Sequence, residues 1–229
     1  MIPNPELNIW EGSARLRALC RERAMNVAPE MDAARQAAEI LASLGPARGA
    51  RLLDAGCGAG HFIHSLMKRG LDYSYFGVDF SPSMIAIGKE AFRDLGLDPA
   101  RLLLESLDDL TGYAFDVAVV LNALSFNADF RRPLSRISDA GARTLLLRDN
   151  FGPRTVIRWE RDGFLDPGHN HLKGYWNEWG EGEVEGFLRQ EGFDSVIWIE
   201  DRRTGGRAEM VVEKPYHWRF LLARKEDLV

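Results

Sequence analysis

Cysteine is nearly absent from the 229-residue chain: Cys20 and Cys57 stand alone, without the paired spacing of a zinc site or a disulfide framework. A reducing, cytoplasmic setting is expected from that. Long apolar runs are missing as well, so no segment has the roughly 20-residue length of a membrane span. The opening MIPNPELNIWEG lacks the basic-then-apolar order of a secretory leader. Positive charge is not in excess either. Lys and Arg number 29 against 34 Asp and Glu, a net charge of −5, which weakens a nucleic-acid reading because phosphate binding needs a cationic footprint. The basic clusters Arg15–Arg23 and Arg131–Arg136 read as solvated helix faces. No internal repeat or low-complexity segment is seen. What is there is 45% hydrophobic and 28% charged, the make-up of an ordinary globular protein. The length suits one α/β domain with a sizeable core and is short for two. Small-molecule partners are favoured over nucleic acid or membrane.

Apolar runs of strand length alternate with amphipathic stretches, the sign of βαβ units and a parallel sheet. Strands are expected near Arg51–Asp54, Tyr75–Asp79, Arg101–Glu105, Phe115–Leu121 and Arg143–Arg148, with helices over Gly60–Arg69, Pro82–Leu95 and Asp129–Ala140. Ser81 and Pro82 start the second helix as N-cap and first helical residue. After Phe151 a loop-rich stretch, FGPRTVIRWERDGFLDPGHNHLKGYWNEWGEG, brings histidines and tryptophans together. A helix near Glu183–Glu191 follows, then the strands FDSVIWIED and HWRFLLARK, which read as an antiparallel hairpin with a short connection on the sheet edge. Residues 1–45 read as two helices forming a cap over the site, and 46–229 as a single domain with an insertion near 151–182.

The stretch LLDAGCGAGHF, Leu52 to Phe62, has the form of strand, glycine turn and helix. Glycines there let the backbone approach a ligand and adopt angles barred to other residues. A dinucleotide fold wants G-x-G-x-x-G, but His61 stands where its third glycine belongs, and the Gly-Lys-Ser/Thr ending of a P-loop is missing. The pattern D-x-G-x-G-x-G is one residue tighter. Asp79, ending the second strand, stands where a carboxylate can bind a ribose diol. Asp54 would repel a pyrophosphate and suits a cationic nucleoside better.

On those residues, LLDAGCGAGHF followed by GVDFSPSMIAIGKE resembles motif I and the following acidic motif of the class I S-adenosylmethionine-dependent methyltransferases. FDVAVVLNALSF resembles their fourth-strand motif and TLLLRDN their fifth, so the resemblance runs from about Arg51 to Asn150. It implies an α/β fold: a Rossmann-like, seven-stranded, mostly parallel sheet with helices on both faces and a C-terminal antiparallel strand pair. It also implies S-adenosyl-L-methionine as cofactor and S-adenosyl-L-homocysteine as product. Asp54, Gly56, Cys57, Gly58 and Gly60 would line the methionine and ribose; Asp79 would hold both ribose hydroxyls, and Phe80 would pack on the adenine. Ser106 and Leu107 match adenine-edge positions with Asp108 as neighbour, and Asn122 would sit near the sulfonium.

For the methyl acceptor the residues give fewer leads. Ala-Leu-Ser follows Asn122, not the Pro-Pro-aromatic motif of amino-methyltransferases acting on bases or glutamine. Asp149–Asn150 resembles the metal pair of catechol-type O-methyltransferases, but Asn122 replaces the further Asp those need, so no metal is expected. In DPGHNHLKGYWNEWGE, His171 and His169 are candidate general bases, histidine being suited to proton abstraction near neutral pH. Tyr175, Trp176 and Trp179 could wall a planar substrate. His61 and His64 read as surface residues, and an Arg of the cap, Arg15 or Arg17, could pair with the methionine carboxylate. The expected function is methyl transfer to an oxygen or nitrogen of a small molecule by a monomer or homodimer; the alternative is a non-catalytic module binding S-adenosylmethionine or S-adenosylhomocysteine.

Overall fold

The strands at the centre of the molecule are short Val-, Leu- and Ala-rich runs with both faces buried, as parallel strands covered by helices must be. The computed structural model describes residues 8–45, 47–163, 165–211 and 213–226. A 3-10 turn (Ile9–Gly12) leads into α1 (Ala14–Ala24) and α2 (Asp32–Ser43). Then β1 (Arg51–Ala55), α3 (Phe62–Lys68), β2 (Ser74–Asp79), α4 (Pro82–Asp94), β3 (Leu102–Leu104), β4 (Val117–Leu121), α5 (Arg131–Asp139) and β5 (Thr144–Gly152) alternate in the expected order. The remainder holds β6 (Trp159–Arg161), β7 (Lys173–Tyr175), β8 (Trp179–Gly180), α6 (Glu181–Gln190), β9 (Ser195–Glu200), β10 (Glu209–Val211), β11 (Lys214–Tyr216) and β12 (Trp218–Arg224).

The main sheet runs β3-β2-β1-β4-β5-β12-β9, with the two residues of β8 added to the far end of β5. Strands β1 to β5 pair in parallel, whereas β12 pairs antiparallel with both β5 and β9. The fold is thus the anticipated Rossmann-like α/β sheet with a C-terminal antiparallel pair. Two details differ: β8 makes the sheet eight-stranded where seven strands are expected, and the connection between the edge strand β9 and β12 is long and carries its own two-stranded β10–β11 sheet.

Two cores lie on opposite faces. One packs α5 and α6 residues such as Leu134, Ile137, Val184 and Leu188 against Leu145, Leu147 and Leu221. The other packs α2 and α3 residues, among them Ala37, Leu41, Phe62 and Leu66, against Leu52, Val119, Leu146 and Phe220. The N-terminal region therefore divides. α2 is a layer of the sheet domain, while α1 lies on α4 through Ala24, Cys20, Ile87 and Ala91. Among the described residues no helix is long and apolar enough to cross a membrane.

Candidate functional site

In the order β3-β2-β1-β4 the chain reverses direction of winding between β1 and β4, and ligands of open α/β sheets bind beyond the strand ends at such a switch point. Here the register places Asp54 beside Gly77 and Ala55 beside Val78, so Asp54 and Asp79 end neighbouring strands. Gly56, Gly58 and Gly60 all adopt left-handed backbone angles, φ 78, 55 and 76°. Their jobs are distinct. A Cβ on Gly56 would stand 2.5 Å from Ala123 Cβ, so this glycine admits the turn that follows β4. A Cβ on Gly60 would press on Leu102 at 2.9 Å and Phe92 at 3.1 Å, so it serves helix–strand packing and does not wall a cavity. Gly58 faces open space and donates its N–H to Asp79 Oδ2 at 2.8 Å.

The other Asp79 oxygen, Oδ1, accepts from Ser81 N at 2.9 Å. Burial pushes Asp79 up to about 6, opposed by those N–H bonds and helped by the charge of Glu11. Asp54 is also buried and takes the Tyr75 hydroxyl at 2.6 Å. Burial drives it to about 7; the Tyr75 bond works against this and Asp79 adds to it.

A cavity of about 200 Å³ opens over this turn. Its walls bring together Gly56, Gly58, Asp79, Phe80, Ser106, Leu107 and Asn122. Asp54 and Cys57 line a smaller cavity of about 40 Å³ with His61 and Met31. Asp108 turns away, its carbonyl accepting from Arg132 and Arg136.

The roof comes from a strap of residues 8–13 and from α1. Glu11 Oε1 accepts from Ser81 Oγ at 2.5 Å and Ser83 N at 3.1 Å, tying the strap to the start of α4. Trp10 lies edge-on to Phe126 at 4.8 Å, and both rings face the cavity. Asp166 of the insertion donates its N–H to Gly12 O and accepts from Ala14 N at 2.7 Å. Insertion and strap thus form one cover. Leu16, Cys20 and Arg23 of α1 complete it. Arg17 is spent on Glu11 O and Arg15 is exposed. Arg23 is the arginine at the cavity, and its guanidinium makes no hydrogen bond or ion pair among the described residues.

His169 and His171 are exposed and lie on the insertion turn outside these cavities, His169 against Gly12. His61, read from sequence as a surface residue, walls the cavity, and its Nδ1 is sealed without a partner. Burial drives it down to about 4, assisted by Arg23 and His64. His64 is buried with Nε2 2.7 Å from Ala24 O. Sequence reasoning could have found this pair, since i and i+3 share a helix face that must meet a neighbour. Trp10, Arg23 and Phe126 carried no such signal. Tyr175, Trp176 and Trp179 stay off the cavity; Trp176 packs on Phe126 at 5.2 Å and Trp179 on Phe130 at 5.2 Å. Asp149 caps the turn after β4, accepting from the N–H groups of Leu124, Ser125 and Asn150.

Residues 53–142 match the family model described as a methyltransferase domain. No curated protein matches the chain in sequence. Solved structures share its fold. An S-adenosylmethionine-dependent methyltransferase from Clostridium acetobutylicum superposes with TM-score 0.61 at 15% identity, covering 91% of this chain and 97% of that one. Magnesium protoporphyrin IX methyltransferase from Synechocystis, with bound S-adenosylmethionine, gives 0.60 at 16%, covering 97% and 98%. The cyclase SpnF gives 0.61 at 16%, covering 83% and 81%. The chain thus carries a methyltransferase-domain match over residues 53–142, and over almost its whole length it shares the fold of S-adenosylmethionine-dependent methyltransferases.

Proposed function

We propose that the protein transfers the methyl group of S-adenosylmethionine to an oxygen or nitrogen of a small molecule. The observation that carries this reading is the Asp79 carboxylate, fixed by one N–H on each oxygen at the wall of the cavity. Each carboxylate oxygen has a second lone pair, so Asp79 retains two acceptor sites, one for each hydroxyl of a ribose diol. Phe80, Met84 and Leu107 supply apolar walls for an adenine, with Ser106 at its edge. Open space at Gly58 leaves room for the ligand backbone-side. At the other end Arg23 and His61 are donors suited to a carboxylate, and they take the part expected of Arg15 or Arg17. When bound, the sulfonium supplies an activated methyl group; the residues around it hold, orient and dry the reacting ends.

A groove of about 440 Å³ meets the cofactor cavity at Arg23, Met31 and Asn122. It favours an enzyme over a module that only holds the nucleoside, because a sensor needs no second compartment. The pairing of this fold with a cyclase in SpnF makes other chemistry at the same cavity the reading to beat. Calorimetric titration with S-adenosylhomocysteine and with NADH tests the cofactor. Binding of the sulfur nucleoside alone is expected; binding of NADH alone would overturn the proposal. Mass-spectrometric gain of one methyl by a small molecule from a metabolite extract, dependent on S-adenosylmethionine, tests turnover, and conversion without mass gain would favour the cyclase-like alternative.

A further inference from the structure

Asn122 walls the cofactor cavity, the small cavity beside Asp54 and the outer groove. Its backbone is left-handed, φ 60°, a conformation that Asn tolerates better than most side chains but that must be held in place. Arg148 on the neighbouring strand does the holding. Its carbonyl accepts the Asn122 N–H at 2.7 Å, and its guanidinium donates to Asn122 Oδ1. An arginine offers donors only. The Asn122 amide therefore has to present Oδ1 to Arg148, and the inverted orientation would set N–H against N–H. Among the described residues nothing takes the remaining Nδ2.

Arg148 is in turn immobilised. It is 2% exposed, its Nε donates to Asp201 Oδ2 at 2.6 Å, and Asp201 is 1% exposed. The guanidinium lies over the rings of Trp218 at 4.3 Å and Phe220 at 5.8 Å. Asp201 Oδ1 accepts from Thr204 N at 3.0 Å, which anchors the turn leading to β10. A buried ion pair of this kind is weak evidence for stability, since desolvation offsets attraction. A side chain held by a carboxylate at Nε and covered by two rings is well suited to fixing a neighbour's geometry.

We infer that the Arg148–Asp201 pair positions the Asn122 amide so that the reacting end of the cavity is offered a hydrogen-bond donor. The favoured methyl acceptor then brings an atom with a lone pair to that point, and a cationic donor is disfavoured there. Arg148 and Asp201 are positioning residues, acting through Asn122. This inference rests on the cofactor reading above.

Sinefungin, in which a C–NH3+ group replaces the S–CH3 of the cofactor, probes that point without a known acceptor. Its affinity relative to S-adenosylhomocysteine is measured by calorimetry for each variant. Asn122→Ala is expected to shift the ratio toward sinefungin at least fivefold, and Asn122→Asp, which turns the donor into an acceptor, at least tenfold. The paired change Arg148→Gln with Asp201→Asn removes both charges together and leaves neither uncompensated. It is expected to shift the ratio the same way by at least threefold, and to add nothing when combined with Asn122→Ala. An unchanged ratio in the Asn122 variants, or full additivity in the combination, would overturn the inference. Should the paired variant not fold, the two Asn122 variants decide alone. Failure of the unsubstituted protein to bind S-adenosylhomocysteine would remove the cofactor reading itself, and this inference with it.

Discussion

Floor and roof of the cavity are built in different ways. The floor comes from one stretch of chain, β1 through the turn after β4, in which each part is set by its neighbours in a βαβ unit. Its roof joins segments remote in sequence, the strap at residues 8–13 with α1 and the Asp166 turn of the insertion, and is tied to the floor at the start of α4. Floor residues are tied by backbone N–H bonds to carboxylates, buried at Asp149 and half-buried at Asp79. Roof ties include exposed or half-exposed side chains, such as Glu11 on Ser81. A buried bond of the first kind costs more to break than a surface one. Binding energy therefore belongs chiefly to the floor, and access chiefly to the roof.

The largest effect should come from the floor. Asp79→Asn keeps the shape of the side chain but loses its charge and one acceptor oxygen, and affinity for S-adenosylhomocysteine should fall by about 2–3 kcal/mol, the scale of hydrogen bonds to a charged group. An affinity within threefold of the unsubstituted protein would break the assignment of Asp79 to the ribose.

A pH series separates binding from folding. Ligand hydroxyls need the ionised carboxylate, so affinity should weaken as pH falls through about 6, where Asp79 takes a proton. Folding runs the other way. Asp79 and Asp54 both sit above their ordinary values, near 6 and 7, so their contribution to stability is full below the ordinary carboxylate range and is lost as pH rises through those values. As pH falls from 8 to 5.5 these two groups should raise the melting temperature of the ligand-free protein, more clearly in a His61→Gln background because His61, held down at about 4, works against them below its ordinary value, while the ligand binds less tightly. Parallel movement of both quantities would contradict that pairing of causes.

The roof should matter less. Glu11→Gln removes the charge that Ser81 Oγ and Ser83 N share, and Trp10→Ala empties the wall against Phe126. Each is expected to raise the dissociation rate of S-adenosylhomocysteine about three- to tenfold in stopped-flow chase, on the order of 1 kcal/mol per lost cap or ring contact. A tenfold fall in association rate with unchanged dissociation would show instead that the strap gates entry.

The same division explains what could be read from sequence. Gly56, Gly58 and Asp79 were legible because a strand–turn–helix unit fixes their spacing locally. Gly60 has the motif's spacing but packs on Phe92 and Leu102, since a motif does not say which glycine meets the ligand and which meets a helix. α2, DAARQAAEILAS, has a clearer apolar face than the arginine-rich α1, ARLRALCRERA, and its burial against Leu52 and Phe220 makes it part of the sheet layer. Placing β12 inside the sheet depends on pairing with β5 across some 70 residues, as Trp218 opposite Asn150 shows. The roof rests on pairs as distant as Ala14 and Asp166, which no periodicity records.

The smallest effect concerns the residues that sequence put forward as bases. His169 and His171 are exposed on the outer surface of the roof, and His169 touches the strap at Gly12 through its Cβ. Surface substitutions away from caps and buried pairs usually change stability by less than about 0.5 kcal/mol. His171→Ala should therefore leave the melting temperature within about 2 °C and the S-adenosylhomocysteine affinity within about twofold of the unsubstituted protein, and His169→Ala, which keeps the Cβ against Gly12, should do the same. His61 differs because it faces the cavity with its Nδ1 sealed; His61→Ala should weaken the same ligand clearly more than either exposed histidine does. Equal effects at all three positions would erase the distinction between floor and roof at this end of the site, and a dominant effect at His171 would move the reacting end toward the insertion.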